Sequence, residues 1–320
     1  MTASFSPLAP DALITVIGGS GFLGRYIVQS LAEAGYRVRV VVRHPDTALF
    51  LKPLGALGQV QIVSGNIVTG LGIGAAFDGA AAGINLVGIL AEDGGQTFAA
   101  VQSTGAARAA GAAAAAGIRH YIQMSAIGAD AASSIAYART KAEGEAAVLA
   151  AIPTAVILRP SLVIGAEDQF LNRFGAMARS APVLPVIAGD SKFQPIFVQD
   201  VAAATLAALN SPDAPGRTFE LGGADVLSFR AILAMINTET RRHRALIEVP
   251  AGLAALLGKM GDVLPFMPMT SDQLAMLGRD NVANPALPGL AALGITPTPL
   301  AAFVPSMLER YRPGGRFSKA

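Results

Sequence analysis

The sequence predicts an α/β protein built on a Rossmann-type, doubly wound parallel sheet, with a smaller C-terminal α/β region. Three observations predict it. Apolar, β-branched runs alternate with helical patterns through the first half of the 320 residues. A glycine-rich stretch, VIGGSGFLG, lies at the junction of the first run and the first helical pattern. After about residue 165 the alternation is broken by Pro182, Pro185, Pro195, Pro212 and Pro215. The expected organisation is therefore a main domain over 1–165 and a smaller region over 166–320, some of whose strands return to the main sheet.

The first element, Ala12 to Ile17, reads as a short buried strand, and Phe22, Leu23, Ile27, Val28 and Leu31 recur at helical spacing directly after it. Gly18, Gly19, Gly21 and Gly24 then occupy a strand-to-helix turn. Glycine permits the tight turn, removes the Cβ that would block a phosphate and lets the helix pack close to the strand. The free N–H groups and positive dipole end of the helix suit a pyrophosphate. Such a turn also serves merely to connect two elements, but here both flanking elements of a dinucleotide fingerprint are present. Ser20, Phe22 and Leu23 line the same turn.

The next strand, Arg37 to Val42, runs into VVVRHPD. A site for NAD carries an acidic residue at this strand end for the ribose 2′-hydroxyl, whereas Arg43 suits a 2′-phosphate. That favours NADP(H), with Asp46 as a less well-placed rival for the ribose. The plain alternative is that Arg43 is a solvated strand-end charge.

QVQIVSGN, GINLVG, RHYIQMSAIG and TAVILRPSLVIG read as the third to sixth strands. Asn66 with Ile67, Leu86 to Gly88 through Val87, Ser125 and Pro160 fall at or beyond their carboxyl ends, where a doubly wound sheet binds its ligand. Asn66 is equally suited to stabilising a turn. Phe98 to Ile118 reads as a buried helix of small residues. It carries Arg108 and is too weakly apolar to span a membrane. PIFVQDVAAATLAAL predicts a strand followed by a helix with Asp200 as its N-cap.

Tyr137 and Lys141 stand four apart in YARTK and share one helix face. In a hydride-transfer site a nearby ammonium lowers the phenol pKa, so that the tyrosine exchanges a proton near neutral pH while the lysine holds a ribose. Ser125 is placed to orient a carbonyl. Holding a cofactor needs the same groups without turnover, so catalysis by Ser125, Tyr137 and Lys141 stays an alternative.

Composition excludes several classes. Hydrophobic residues make up 52% and charged residues 14%, against about 25% charged in typical domains. This charge-poor surface reflects either an alanine-rich composition or coverage by a partner or membrane. A net charge of +2 gives no basic field for nucleic acid. The absence of cysteine removes disulfides, thiol catalysis and cysteine-held metal centres. His44, His120 and His243 are scattered, so no metal site is expected. MTASFSPLAPDAL lacks the pattern of an export signal, which leaves the protein on the cytoplasmic side with no transmembrane helix.

GGSGFLG, INLVG, YARTK, LRPSLVIG and PIFVQDVA together resemble the atypical extended short-chain dehydrogenases/reductases over roughly residues 12–225. LKPLGALGQV, INLVG, AEDQFLNRF and TSDQLAML resemble more specifically the family of nucleotide-binding accessory subunits of respiratory complex I (NADH:ubiquinone oxidoreductase), in its bacterial form. The resemblance implies tightly held NADP(H), a structural or assembly role among other complex I subunits, and a peripheral place at the junction of the peripheral and membrane arms. By position it gives Gly18, Gly21 and Gly24 to the pyrophosphate, Arg43 to the 2′-phosphate, and Tyr137 and Lys141 to the nicotinamide-side ribose. Asn66 departs from the aspartate common in the superfamily, which puts the adenine contact there in doubt.

The remaining readings are an active NADP-dependent reductase or epimerase on a small or lipid-like substrate, and a redox-sensing binding module whose partner affinity depends on bound nucleotide. Residues 250–269, apolar but broken by Lys259, Asp262 and two internal prolines, suit a partner- or lipid-facing segment or a lid of the second region. Arg310, Arg312, Arg316 and Lys319 form a basic end that suits an anionic surface or plain solvation.

Overall fold

The computed structural model of the chain describes residues 7–261 and 270–315. It divides into two compact units: 1–160 with 198–221 and 284–296, and 161–197 with 222–283 and 297–320. Arg316, Lys319 and the part of the apolar segment over 262–269 lie outside the described residues.

In the first unit, β1 (Leu13–Ile17), α1 (Phe22–Glu33), β2 (Arg37–Val42), β3 (Val60–Ser64), β4 (Ala82–Asn85), α2 (Gly105–Ala115), β5 (His120–Met124), α3 (Ala136–Ala151) and β6 (Val156–Pro160) follow in turn. The chain continues into the second unit with β7 (Val163–Ile164), α4 (Phe170–Ser180), β8 (Val183–Val186), β9 (Lys192–Phe193) and β10 (Ile196–Phe197). It returns to the first through α5 (Val198–Asn210) and β11 (Thr218–Leu221). The second unit is completed by β12 (Leu227–Ser228), α6 (Phe229–Glu239), β13 (Ala245–Glu248), α7 (Ala251–Gly261), α8 (Ser271–Leu277) and α9 (Val304–Leu308).

The seven-stranded sheet of the first unit has the order β11-β6-β5-β4-β1-β2-β3, every pair parallel. Strand order reverses between β1 and β4, so the crevice beyond their carboxyl ends is the place where such a sheet accepts a ligand. Burial on both faces explains the near-continuous apolar strands. Helices α1 and α5 pack together, as do α2 and α3. A layer of Ile17, Val41, Phe77, Tyr121 and Ile157 meets Ala106, Ala109, Ala110 and Ala113 of α2. Small side chains let α3 pack close to α2 and the turn before it: a Cβ on Gly144 of α3 would stand 2.1 Å from the Gln102 carbonyl oxygen and 3.4 Å from the Ala106 Cβ of α2.

Three sequence expectations change here. TAVILRPSLVIG forms two strands, and the second, β7, leaves the main sheet to pair in parallel with β10. Pro160 ends β6, and the direction changes at Ser161, whose hydroxyl donates to the Asn281 backbone and side-chain oxygens at 2.9 and 2.6 Å. The seventh strand of the main sheet is β11. Asp200 is not an N-cap: α5 begins at Val198, so the carboxylate lies within its first turn. Residues 99–104 form a π-helical turn that leads into α2.

The second unit closes on its own core, in which Phe170, Phe174 and Phe193 pack around Phe229 with ring centroids 5.6–6.2 Å apart. Asp168 accepts the Leu171 N–H at 2.6 Å and the Gly165 N–H at 3.4 Å, fixing the entry to α4. Burial raises its pKa, and four backbone hydrogen bonds oppose that shift. Among the described residues no helix is long and apolar enough to cross a membrane.

Candidate functional site

Every position expected to touch a cofactor falls in the first unit, at or beyond the carboxyl ends of its strands. The turn after β1 demands glycine at Gly18 and Gly24. Gly18 has φ +82°, a left-handed conformation that L side chains rarely adopt, and its N–H donates to the Val41 carbonyl at 3.0 Å. A Cβ on Gly24 would stand 2.6 Å from the Gly18 carbonyl oxygen and the Gly19 backbone, so α1 starts flush against the turn. A Cβ on Gly21 would meet only the Gly18 oxygen, at 3.4 Å. Gly21 is exposed at the helix N-cap, Ser20 and Leu23 flank it, and Phe22 opens the helix. The amide groups of this first turn face the crevice end of the sheet, and no acidic side chain occupies it.

Arg43 follows the last residue of β2 and is exposed, with no hydrogen bond or ion pair to any described residue. Asn66 caps its own loop: its Oδ1 accepts the Val68 N–H at 2.8 Å and the Thr69 N–H at 3.4 Å. The plain turn reading therefore accounts for the Asn66 carbonyl. Ile67 is buried against α2, and Arg108 Nη1 holds the loop from the other side by donating to the Ile67 carbonyl at 2.7 Å and to the Val68 carbonyl.

Within the last residues of β4 and β5 lies a polar pair that the sequence reading missed. Asn85 and Gln123 are buried partners on neighbouring strands, with Asn85 Nδ2 donating to Gln123 Oε1 at 2.9 Å. Asn85 Oδ1 accepts the Val87 N–H at 3.1 Å, and the Leu86 N–H reaches the Ile17 carbonyl at 3.0 Å. Together these bonds fix Leu86, Val87 and Gly88 at the reversal point. Polar amides inside otherwise apolar strands were the available signal.

Ser125 directly follows β5, and its buried Oγ has no hydrogen-bond partner among the described residues. A buried hydroxyl without a partner costs about 1–3 kcal/mol, which suits a group kept for a ligand. Lys141 approaches the same place: its Nζ is 3.5 Å from the Met124 carbonyl oxygen and would stand 3.0 Å from a Cβ on Gly88. Burial lowers the Lys141 pKa to about 8, an effect that Glu145 partly opposes. Tyr137 packs edge-on against Phe98 at 5.8 Å, with Lys141 Nζ 5.9 Å from its ring centroid. The expected lowering of the phenol by the ammonium is absent, because burial pushes Tyr137 up to about 12. At neutral pH Tyr137 is thus a protonated donor.

The lysine gives a pH prediction. Its folded pKa lies below its unfolded value of 10.5, so between pH 8 and 10.5 the unfolded chain binds more protons and stability rises with pH. The full difference corresponds to roughly 3 kcal/mol. In the ligand-free chain this rise is expected in urea unfolding curves and should vanish in Lys141→Met. Equal pH slopes for the two proteins would refute it.

One turn beyond Lys141, Glu145 accepts two hydrogen bonds from Arg159, at 2.9 Å from Nε and 2.6 Å from Nη2. Arg159 Nη1 also reaches Glu220 Oε1 at 3.3 Å. Glu220 Oε2 accepts the Asn284 N–H at 2.8 Å. This brace ties α3, β6, β11 and the returning 284–296 segment together behind the Tyr137–Lys141 face. Among the described residues no group of three or more His, Asp or Glu side chains is placed to hold a metal ion.

A dinucleotide fits these residues on two observations: the glycine cradle has no room for a Cβ at Gly24, and the orphaned Ser125 hydroxyl lies at the end of β5. Residues 14–222 match the model of the NAD dependent epimerase/dehydratase family. The chain belongs to that family. Among relatives in the family, the mitochondrial NADH dehydrogenase (ubiquinone) 1 alpha subcomplex subunit 9 of Arabidopsis thaliana is 35% identical over 315 residues, covering 94% of this chain and 78% of that protein. The ceramide reductase of Caulobacter vibrioides is 38% identical over 208 residues, 64% of each chain. The epimerase/dehydratase fold is also that of the NADPH-dependent quinone oxidoreductase of Escherichia coli complexed with NADPH, at a TM-score of 0.69 and 22% identity, covering 92% of this chain and 99% of that one.

Proposed function

We propose that the protein is an NADP(H)-holding accessory subunit of NADH:ubiquinone oxidoreductase, with a structural or assembly role and no turnover of its own. The observation that carries this reading is the extent of the likeness to subunit 9, which runs over 94% of the chain and so past residue 222, where the family model ends. Dinucleotide binding alone does not require that second stretch to be alike. Exposed apolar residues of the first unit, Leu49, Phe50, Leu57 and Leu71, add support for coverage by neighbouring subunits. The nucleotide-binding role goes to the first unit. The protein then sits peripherally on the cytoplasmic side of the inner membrane, beside the other complex I subunits and lipid.

In this reading the amides around Gly18, Gly21 and Gly24 hold the pyrophosphate, and Arg43 holds the 2′-phosphate as a fork of N–H donors. Lys141 and the protonated Tyr137 donate to the nicotinamide-side ribose, and the orphaned Ser125 hydroxyl gains a partner. Arg43→Ala is expected to weaken NADP(H) by about tenfold to a hundredfold, since a charge-assisted fork contributes about 1.5–3 kcal/mol, and to leave NAD(H) nearly unchanged. Calorimetric titration of both nucleotides checks it, and parallel losses would remove Arg43 from the site.

A second reading has its own support in the ceramide reductase likeness and the complete Ser125, Tyr137 and Lys141 set. There a bound reduced dinucleotide would be the source of hydride, and Tyr137 would donate its phenolic proton to the carbonyl oxygen of the substrate. Native electrophoresis of gently solubilised membranes separates the two. Co-migration with NADH:ubiquinone oxidoreductase activity supports the first, whereas a free protein that oxidises NADPH with a lipid-like carbonyl compound supports the second.

A further inference from the structure

We propose that the loop Arg241–Arg244 of the second unit is a binding site for the phosphate headgroups of an anionic bilayer. It names the surface behind the peripheral membrane location proposed above, on which it rests, and does not depend on nucleotide binding.

The sequence RRHR follows the C-terminus of α6 and lines a cleft of about 620 Å³ together with Asn237 and Thr238. The loop is pinned before any ligand arrives. Thr240, fully buried, donates to the Ile236 carbonyl at 2.6 Å, and the Arg241 and Arg242 N–H groups close the helix on Thr238 and Asn237 at 3.0 and 2.9 Å. Asn237 Nδ2 donates to the Arg244 carbonyl at 2.8 Å, and its Oδ1 accepts the Arg244 N–H at 3.3 Å.

Among the described residues no carboxylate forms an ion pair with this loop. Arg242 Nε donates to the Tyr311 carbonyl at 3.0 Å and Arg244 Nε to the Ala178 carbonyl at 2.7 Å, which orients both guanidinium groups and leaves their charge intact. Glu239, the nearest carboxylate along the chain, faces Arg312 at 3.7 Å. Arg241 and His243 are exposed, and their side chains make no hydrogen bond or ion pair with any described residue. The negative end of a helix dipole amounts to about half a charge, so it calls for one cation rather than three arginines and a histidine. Arg241 moreover sits at φ +51°, where glycine or asparagine is the easy choice, so the side chain is kept at a conformational cost.

Planar guanidinium donors match phosphate oxygens. What favours a bilayer over a soluble phosphate is the chain that follows. Ile247, Leu253 and Leu256 are half exposed within a dozen residues of the loop, the two leucines on the apolar helix α7. A cationic loop followed by exposed leucines is the pattern of a surface that enters the headgroup layer and is held there by charge.

The test is flotation of the full chain with vesicles of phosphatidylcholine alone or with about 30% phosphatidylglycerol, since each cation near such a surface contributes about fivefold in partitioning. The parent is expected to float only with the anionic vesicles. Arg241→Gly suits the left-handed backbone, so its Tm should equal or exceed that of the parent, while its partitioning falls about fivefold. Adding His243→Ala and Leu256→Ser should lower it further. Equal flotation of parent and Arg241→Gly, or none with either vesicle, would overturn the proposal. So would release of the chain by inorganic phosphate beyond that caused by chloride of equal ionic strength, which would mark a soluble-phosphate site. Binding to polyglutamate in place of vesicles would assign the loop to an acidic protein surface and overturn it too. Vesicle binding without co-migration with the oxidoreductase would remove only the complex I reading.

Discussion

Gly24→Ala is expected to destabilise the protein by about 2–3 kcal/mol, the cost of forcing a methyl group into a filled space, and to abolish nucleotide binding. The added Cβ would lie 2.6 Å from backbone atoms of both Gly18 and Gly19, and backbone cannot rotate aside as a side chain does. Helix α1 would have to lift from the turn, carrying its amide groups away from the pyrophosphate. Gly21→Ala is the paired control. Its Cβ meets the Gly18 oxygen at an ordinary 3.4 Å, so stability should stay within about 0.5 kcal/mol of the parent. Because Gly21 is exposed at the helix entry, the methyl group falls where the diphosphate approaches, and affinity should drop by about tenfold or more. Urea unfolding and nucleotide titration of the two variants check this. Equal stability of both, or full affinity in Gly21→Ala, would contradict the cradle.

Arg159→Met is expected to cost about 3–5 kcal/mol, because removal of one partner strands a buried charge. Glu145 and Glu220 are each about 6% exposed, and the guanidinium lies between them. Without it, two carboxylates share a poorly solvated space behind α3 and at the β6–β11 pairing. Replacing Glu145 and Glu220 by glutamine in the Arg159→Met background should recover part of the loss, since the unpaired charges then disappear. The urea midpoints of the single and triple variants decide it. A loss of less than about 1 kcal/mol in the single variant, the size expected of an exposed pair, would show that the brace carries no stability.

Much of the first unit was legible in the sequence because one rule covers it. A strand buried on both faces must be apolar throughout, and the helix that follows must turn one apolar stripe inward. Val38, Val40 and Val41 on β2, and Ile14, Val16 and Ile17 on β1, obey it, while the buried Thr15 of β1 is accommodated by donating to the Ala76 carbonyl at 2.6 Å. The glycine turn was legible for a related reason, since Gly18 and Gly24 answer steric demands that no other residue meets. The break after Pro160 was not legible. VILRPSLVIG has apolar, β-branched residues on both sides of Arg159 to Ser161 and so reads as one strand, whereas the bond that fixes the chain beyond Pro160 runs from Ser161 to Asn281, 120 residues away. The Asp200 expectation failed because β10 runs straight into α5 at Val198, which puts the carboxylate inside the first helical turn instead of ahead of it.

The site was legible in its residue types and less so in its electrostatics. Lys141 and Tyr137 share a helix face as their spacing requires, yet spacing does not reveal depth. Burial lowers the ammonium and raises the phenol, the reverse of the mutual effect expected of an exposed pair. Asn85, Gln123 and the Glu145–Arg159–Glu220 brace belong to partners far apart in the chain, so no local pattern announces them.

The central claim is that the first unit holds a 2′-phosphorylated dinucleotide as a resident group. Mass spectrometry of nucleotide released by acid from the protein purified out of its own membranes tests it most directly. About one NADP(H) per chain, retained through gel filtration, is the predicted result, since a held cofactor dissociates slowly. Finding NAD(H) in its place, or no adenine dinucleotide at all, would contradict it.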